Sequence, residues 1–411
     1  MLHCNRAYEW DVRMSDYSST MTLPQETTPA WGAVVSMMLG VFGLVTAEFL
    51  PASLLSPMAH DLGVTEGLAG QAVTTTAVLA LVTSLLVTSV IRSLDRRLVL
   101  MSFSVLLIAS NLLVASAPSL GMLLLARMLL GVALGGFWTM SVAVTMRLVP
   151  MALIPRALSI LFSGVSAATI FAAPFGSYVG SMAGWRDVFL MAAVLGGLAL
   201  MVQFLTLPRM VPEGATPLRT LLALVRRPRM GLGILAILLV FSAHFAFFTY
   251  MRPFLETITG VAAAGMAGIF LAFGIANFFG TMLGGVMLEH KMRLTMVILP
   301  LLMAMVGLGL AIFGHAPVAA TALVALWGLA FGAMPVAWST WMTRTVPDEA
   351  ESGGGLLVAT IQFAIAAGAA LGGAVFDRTG VTSVFILGGV VSLAAVAIVL
   401  AVVRPAAPVN A

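Results

Sequence analysis

Twelve long apolar runs, each closed by a short polar break, set the plan of this chain. They lie near residues 31–54, 67–91, 98–116, 120–146, 157–182, 187–207, 230–250, 263–288, 294–313, 317–343, 353–376 and 382–403. Each approaches the ~20 residues a helix needs to cross a bilayer. None alternates apolar and polar positions as a membrane β-strand of about ten residues does. The pattern predicts an all-α polytopic membrane protein with twelve transmembrane helices. The longest polar interruption, 208–229 (PRMVPEGATPLRTLLALVRRPR), carries three prolines ahead of a basic cluster. It divides the chain into a tail (1–30), a six-helix bundle (31–207), a linker (208–229), a second six-helix bundle (230–403) and a short tail (404–411).

The two sets of six repeat one plan. Gly131, Gly135, Arg147 and Pro150 recur as Gly328, Gly332, Arg344 and Pro347, all 197 residues later. Arg97-Leu98 recurs as Arg293-Leu294, and Gly176, Gly184 and Phe189 recur as Gly372, Gly380 and Phe385, at an offset of 196. Scattered glycines match by chance, but not at one near-constant offset in three separate stretches. Six is even, so both copies cross the membrane in the same sense. Parallel repeats of this kind hold a substrate between the halves near the midplane.

Charge orients the plan. Of the 20 basic residues, sixteen fall on one side: Arg6, Arg13, Arg92, Arg96, Arg97, Arg147, Arg156, Arg209, Arg219, Arg226, Arg227, Arg229, Lys291, Arg293, Arg344 and Arg404. Arg186, Arg252 and Arg378 fall on the other, and Arg127 lies within a span. The positive-inside rule then places both termini in the cytoplasm. The pI near 9.8 reports this topology; a nucleic-acid partner needs Lys and Arg clustered on a soluble face, which is missing here. At 61% hydrophobic and 9% charged, the composition is far from the roughly 25% charged of soluble domains. The single cysteine, Cys4, excludes an intrachain disulfide. The first thirty residues are polar and lack an apolar core, so they read as a flexible cytoplasmic tail and no signal peptide. Met14 or Met21 would serve equally as the start.

Candidate chemistry begins with Glu48, in the middle of the first apolar run. A carboxylate at that depth is costly, and by default it marks an ion or proton pathway; the plainer reading is a structural pair with a buried arginine. Pro51 and Pro57 follow, loosening or ending the helix, and His60, Asp61 and Glu66 gather in the first loop. Glu48 lies nine residues before Pro57 and Arg127 eight after Ser119, depths of roughly 13 and 12 Å at 1.5 Å per residue. The two are expected to meet in the outer half, where moving Arg127 relative to Glu48 would switch the acid between holding and releasing a proton. The repeat places His244 opposite Glu48, VTAEF aligning with FSAHF. His244 is thus a second proton-coupling candidate, or simply an interhelical hydrogen-bonding residue.

Polar and aromatic residues within spans supply pocket candidates. Thr75, Thr139, Ser166, Asn277, Ser339 and Gln362 offer hydrogen bonds, and Trp138, Tyr250 and Trp338 offer flat walls; each is equally an interhelical contact or an interfacial aromatic. Gly131 and Gly135 in span four, and Pro174 with Gly176 in span five, mark faces where helices approach closely.

With these residues in place, the chain resembles the drug/proton antiporter branch of the major facilitator superfamily. Glu48-Phe49-Leu50-Pro51 is similar to that branch's first-helix acidic motif, and Arg127 with Gly131 to its fourth-helix motif. Pro174 with Gly176 stands where its fifth-helix motif lies, although Ala173 replaces the expected glycine. Gly184-Trp185-Arg186 and Phe189 resemble sugar-efflux relatives. The loop after span two departs from the superfamily pattern: Thr88, Arg92, Ser93 and Asp95 replace its Gly, Asp, Arg and Gly, leaving only Arg96-Arg97. Gly135-Gly136-Phe137-Trp138, Met146 to Pro150, Phe245 to Tyr250 and Trp338-Ser339-Thr340-Trp341 resemble the nucleoside-exporting bacterial members of the branch. The resemblance implies the major facilitator fold, a place in the bacterial inner (cytoplasmic) membrane, proton-driven export of purine ribonucleosides such as inosine and guanosine, and Arg127 serving proton coupling.

Sugars or amphipathic drugs are the alternative cargo, and a flat hydrogen-bonding purine suits aromatic walls with Asn, Gln, Ser and Thr. A membrane-embedded enzyme or receptor is the reading from another class. An enzyme needs paired carboxylates, a nucleophile–base set or metal-spaced ligands, and the spans offer one Glu, one Arg and one His. No GxxxxGK[ST] loop occurs, which argues against ATP as the energy source. No cofactor or metal is expected. The partners are a small-molecule substrate, the proton and the lipid bilayer, and the protein is expected to be a monomer.

Overall fold

A computed structural model describes residues 29–91, 94–210, 223–227, 229–346 and 350–402. The helices are α1 (Trp31–Ser53), α2 (Leu55–Leu62), α3 (Glu66–Val90), α4 (Arg96–Ala115), α5 (Leu120–Arg147), α6 (Ile154–Ala183) and α7 (Trp185–Thr206). They continue as α8 (Met230–Thr257), α9 (Ala263–Phe313), α10 (Pro317–Thr345), α11 (Ala350–Thr379) and α12 (Val381–Val402). Among the described residues, twelve stretches are long and apolar enough to cross a membrane. Two of them share the single stretch α9, where no loop intervenes: only Lys291 leaves helical geometry (φ −143°, ψ 57°) at the kink between them.

Two local expectations need correcting, and a third is met. His60 and Asp61 do not sit in a loop: they end the short helix α2, and Glu66 opens α3 behind a Thr65 cap that accepts from the Leu68 amide at 3.1 Å. The first span is interrupted at Leu54, between Pro51 inside α1 and Pro57 in the first turn of α2, which is the loosening expected of the two prolines. The seventh span, expected to close near residue 250, runs on as α8 to Thr257 and so takes in Arg252. Its i,i+4 partner Glu256 balances the charge on the same helix face at 2.8 Å.

The repeat seen in the sequence is a repeat of helix crossings. Gly131 and Gly135 of α5 lie against the backbone of Thr76 and Ala80 of α3, with no room for a Cβ. In the second half Gly328 and Gly332 of α10 lie in the same way against Phe273 and Asn277 of α9. Gly176 of α6 packs on Leu50 and Ser53 of α1, and its counterpart Gly372 of α11 on Ala246 and Tyr250 of α8. Small residues let two backbones approach where lipid supplies no hydrophobic drive for association. Pro174 lies inside α6 without ending it.

The halves meet along two seams, α3 against α11 and α6 against α9. Gly274 of α9 touches the backbone of Thr169 and Ile170 of α6. Three hydrogen bonds join the halves at the end where α1 meets α2. Thr65 Oγ1 donates to Asp377 Oδ2 at 2.9 Å, and the Gly67 amide to Asp377 Oδ1 at 3.2 Å. Arg252 Nη1 donates to the Ser53 carbonyl. On the same end Arg186 and the Trp185 indole both donate to Asp61. The Arg186 guanidinium thereby holds the Asp61 carboxyl below the usual carboxylate range.

At the opposite end Asp95 caps α4, accepting from the amides of Arg97 (2.9 Å) and Met210 (3.1 Å). Arg96 Nη1 donates to Ile91 O at 3.1 Å, and Arg97 Nη2 to Phe204 O at 2.6 Å. These loop-motif residues thus tie α4 to its own half. Arg92 lies outside the described residues, as do the tails and most of the linker.

Candidate functional site

The site is built on a defect in α1. Proline has no N–H, so the carbonyl four residues before it loses its helical donor. Pro51 strips Ala47 of that bond, and Arg127 supplies the replacement: its Nη1 donates to Ala47 O at 2.8 Å. Arg127 Nε also reaches Ala72 O of α3 at 3.4 Å. The arginine is fully buried at 0% exposure and stitches α5 to both α1 and α3.

Glu48 follows Ala47 and is buried at 9% exposure. Arg127 is held on the carbonyl of the residue just before Glu48, which brings a positive charge close to the carboxylate. Among the described residues the two share no hydrogen bond, so the direct pair expected from their depths is replaced by a charge held beside the carboxylate. The orphaned main-chain carbonyl wins the guanidinium. What remains is one buried oxygen, Glu48 Oε1, and one buried nitrogen, Arg127 Nη2, each without a partner. Buried polar groups are rarely left so, and exceptions point to function. Thr46 Oγ1, two residues before Glu48, is a third.

His244 sits quite differently. Its Nδ1 accepts from the Trp327 indole at 3.0 Å, and its ring lies parallel to Phe331 with Phe245, Phe248 and Phe273 around it. This is the interhelical bond of the plainer reading, α8 to α10, inside an aromatic cluster. Next to both residues, Phe49 of α1 meets Phe248 of α8 across the halves, ring centroids 5.1 Å apart.

Twelve spans, a doubled helix plan and a buried acid–arginine site thus define the molecule. Residues 37–357 match the family model described as Major Facilitator Superfamily. The chain belongs to the major facilitator superfamily. It is similar to the "Purine ribonucleoside efflux pump NepI" of Escherichia coli (strain K12), 44% identical over 378 residues that cover 92% of this chain and 96% of that one. The protein of the same name from Salmonella typhimurium (strain LT2) is 44% identical over 376 residues, covering 92% and 95%. Among solved structures, a bacterial homolog of the human lysosomal transporter Spinster, inward-facing and occupied, superposes with a TM-score of 0.72 at 14% identity, covering 90% of this chain and 96% of that chain. At that identity the likeness shows the fold alone.

The other candidate residues of this major facilitator protein divide into two groups. Thr75, Trp138, Thr139, Ser166 and Asn277 are half-buried and Ser339 is exposed. Thr139 Oγ1 turns back to Gly135 O of its own helix at 2.8 Å, and Trp138 stacks on Phe162 at 6.2 Å. Gln362 is buried with Nε2 unpartnered, and Trp338 is buried edge-on to Trp341 at 5.7 Å.

Tyr250 departs from the group. It is fully buried, donates to Ala369 O at 2.9 Å and packs against Gly70 and Gly373, which makes it a seam residue between α3, α8 and α11. Reading the sequence for side-chain chemistry overlooked Arg252 and Asp377, which join the halves. The signal that could have found the first is Pro57, four residues after Ser53.

Proposed function

We propose that this chain exports purine ribonucleosides from the cytoplasm by alternating access, driven by protons returning through Glu48. The observation that carries the cargo is the 44% identity, over nearly the full length of both chains, to a purine ribonucleoside efflux pump. The observation that supports the coupling is the buried Glu48 carboxyl, with one oxygen unpartnered beside a fully buried guanidinium. A carboxyl there has reason to take up and release a proton as its surroundings change, since its charge is balanced only at a distance.

In this reading Arg127 stays on the Ala47 carbonyl and lends Glu48 its charge, while His244 remains a structural hydrogen-bond acceptor. Trp138 and Trp338 supply flat walls, and Thr75, Ser166, Asn277 and Gln362 supply donors and acceptors for the purine edge and ribose hydroxyls. Both termini lie in the cytoplasm at the bacterial inner membrane, and the protein works as a monomer. The α1–α2 end is then the outer end.

Proteoliposomes holding the purified protein test the reading. Labelled inosine and guanosine should exchange for unlabelled nucleoside, and should accumulate against a gradient when a proton gradient is imposed without ATP. Exchange of sugars or amphipathic cations but of no nucleoside would overturn the cargo. Accumulation that survives an uncoupler would overturn the coupling.

A further inference from the structure

Helix α1 and its extension α2 carry two prolines, and the second repeats the defect of the first. Pro57 has no N–H to offer the Ser53 carbonyl, just as Pro51 has none for Ala47. Again an arginine fills the place: Arg252 Nη1 donates to Ser53 O. The difference is where the arginine comes from. Arg127 belongs to the same half as α1, whereas Arg252 belongs to α8 in the other half. Arg252 is 4% exposed, and its Nε is also bonded to Glu256 Oε1 of its own helix at 2.8 Å.

We propose that the Arg252–Ser53 contact is a reversible latch holding the halves shut at the α1–α2 end, with Glu256 as the partner that keeps Arg252 paired when the latch opens. A buried guanidinium stripped of every partner is strongly destabilised, so a cross-half contact made by arginine alone would resist opening. Glu256 moves with α8 and removes that obstacle. Only the bond to Ser53 is exchanged. The main-chain acceptor adds no second charge, so opening leaves no carboxylate stranded on α1. Asp377, which accepts from Thr65 and the Gly67 amide at the start of α3, closes the neighbouring seam at the same end.

The inference rests on alternating access, as proposed above, but its test needs neither cargo nor membrane orientation. The chain has one cysteine, so Cys4→Ser gives a thiol-free background. Ala69→Cys then places one thiol in α3 at a position 1% exposed, next to Gly70 at the seam with α8 and α11. Full-length protein in detergent is treated with a small hydrophilic maleimide, and the labelling rate is read by mass spectrometry. Losing one charge-assisted hydrogen bond should speed labelling about tenfold or more in Arg252→Met, with Arg252→Lys between it and the parent. Pro57→Ala should also speed labelling, since it gives Ser53 a donor of its own while leaving Arg252 in place. Glu256→Gln should label more slowly than the parent, because the open state loses its charged partner.

Unchanged rates in both Arg252→Met and Pro57→Ala would overturn the latch, and a faster Glu256→Gln would overturn the role given to Glu256. If Arg252→Met does not fold, Pro57→Ala decides alone. Nucleoside exchange that fails while these rates behave as expected would count against the cargo and leave the latch standing.

Discussion

Glu48 and His244 occupy the same place in two copies of one helix plan, 196 residues apart, yet their surroundings have little in common. Glu48 lies beside a carbonyl taken by Arg127 and keeps an oxygen without a partner. His244 has its Nδ1 bonded to Trp327 and its ring enclosed by phenylalanines. Pseudo-symmetry fixes where a side chain stands. Its neighbours decide whether it has unfinished hydrogen bonding, and so whether it has reason to exchange a proton. The proline three residues after Glu48 accounts for much of the difference, because it draws the arginine to the main chain.

The comparison breaks most sharply at Glu48. Glu48→Gln retains size and some hydrogen bonding but cannot carry charge. It should fold at normal yield and exchange nucleoside for nucleoside, while gradient-driven accumulation falls to passive equilibration. Side-by-side uphill and exchange assays at matched protein amounts decide this, and normal uphill transport would end the assignment. Next in size is Arg127→Ala, which strips the Ala47 carbonyl and leaves Glu48 without its counter-charge. Breaking such a buried arrangement costs about 3–5 kcal/mol, visible as a large fall in melting temperature. Arg127→Ala/Glu48→Gln should recover part of that loss if the uncompensated acid is its cause.

His244→Phe gives a smaller effect of another kind. Trp327 loses its acceptor, at about 1–3 kcal/mol for an unsatisfied buried donor, so the melting temperature drops while uphill transport persists. Loss of uphill transport in a stable His244→Phe protein would restore the symmetry of roles.

How much of this was legible before the structure depends on the kind of interaction. The twelve spans follow from runs of apolar residues, and the repeat from glycines whose missing Cβ is read in both halves against the neighbouring backbone. The end of α8 is harder to read, because Arg252 and Pro253 look like the close of a span until Glu256 is seen four residues after the arginine. Glu48 and Arg127 were placed at the same depth but paired too directly, since side-chain charges are visible in a sequence and an unbonded carbonyl is not. Tyr250 resembled a pocket aromatic; its burial depends on Gly70 and Gly373, whose proximity no local pattern reveals.

The smallest expected effect concerns Asp61, whose carboxyl is held below its ordinary range chiefly by the hydrogen bond from Arg186. A lowered folded-state value contributes stability above the unfolded carboxylate value, and that stability is lost as pH falls through the folded one. Thermal scans between neutral and acid pH should show wild type losing slightly more stability than Asp61→Asn. The pair is exposed, so the difference should be slight. An equal loss in both proteins would remove Asp61 from the account.

The two arginine-capped carbonyls also bear on how the chain is made. The caps of α1 arrive 80 and 199 residues later in the sequence, with Arg127 and Arg252. Until Arg127 is synthesised, α1 carries at Ala47 an acceptor with no donor, at a depth where lipid offers none. Newly inserted α1 is therefore a poor resident of bare lipid. It should linger beside the insertion machinery until α5 joins it, and the second half should complete the first as well as duplicate it.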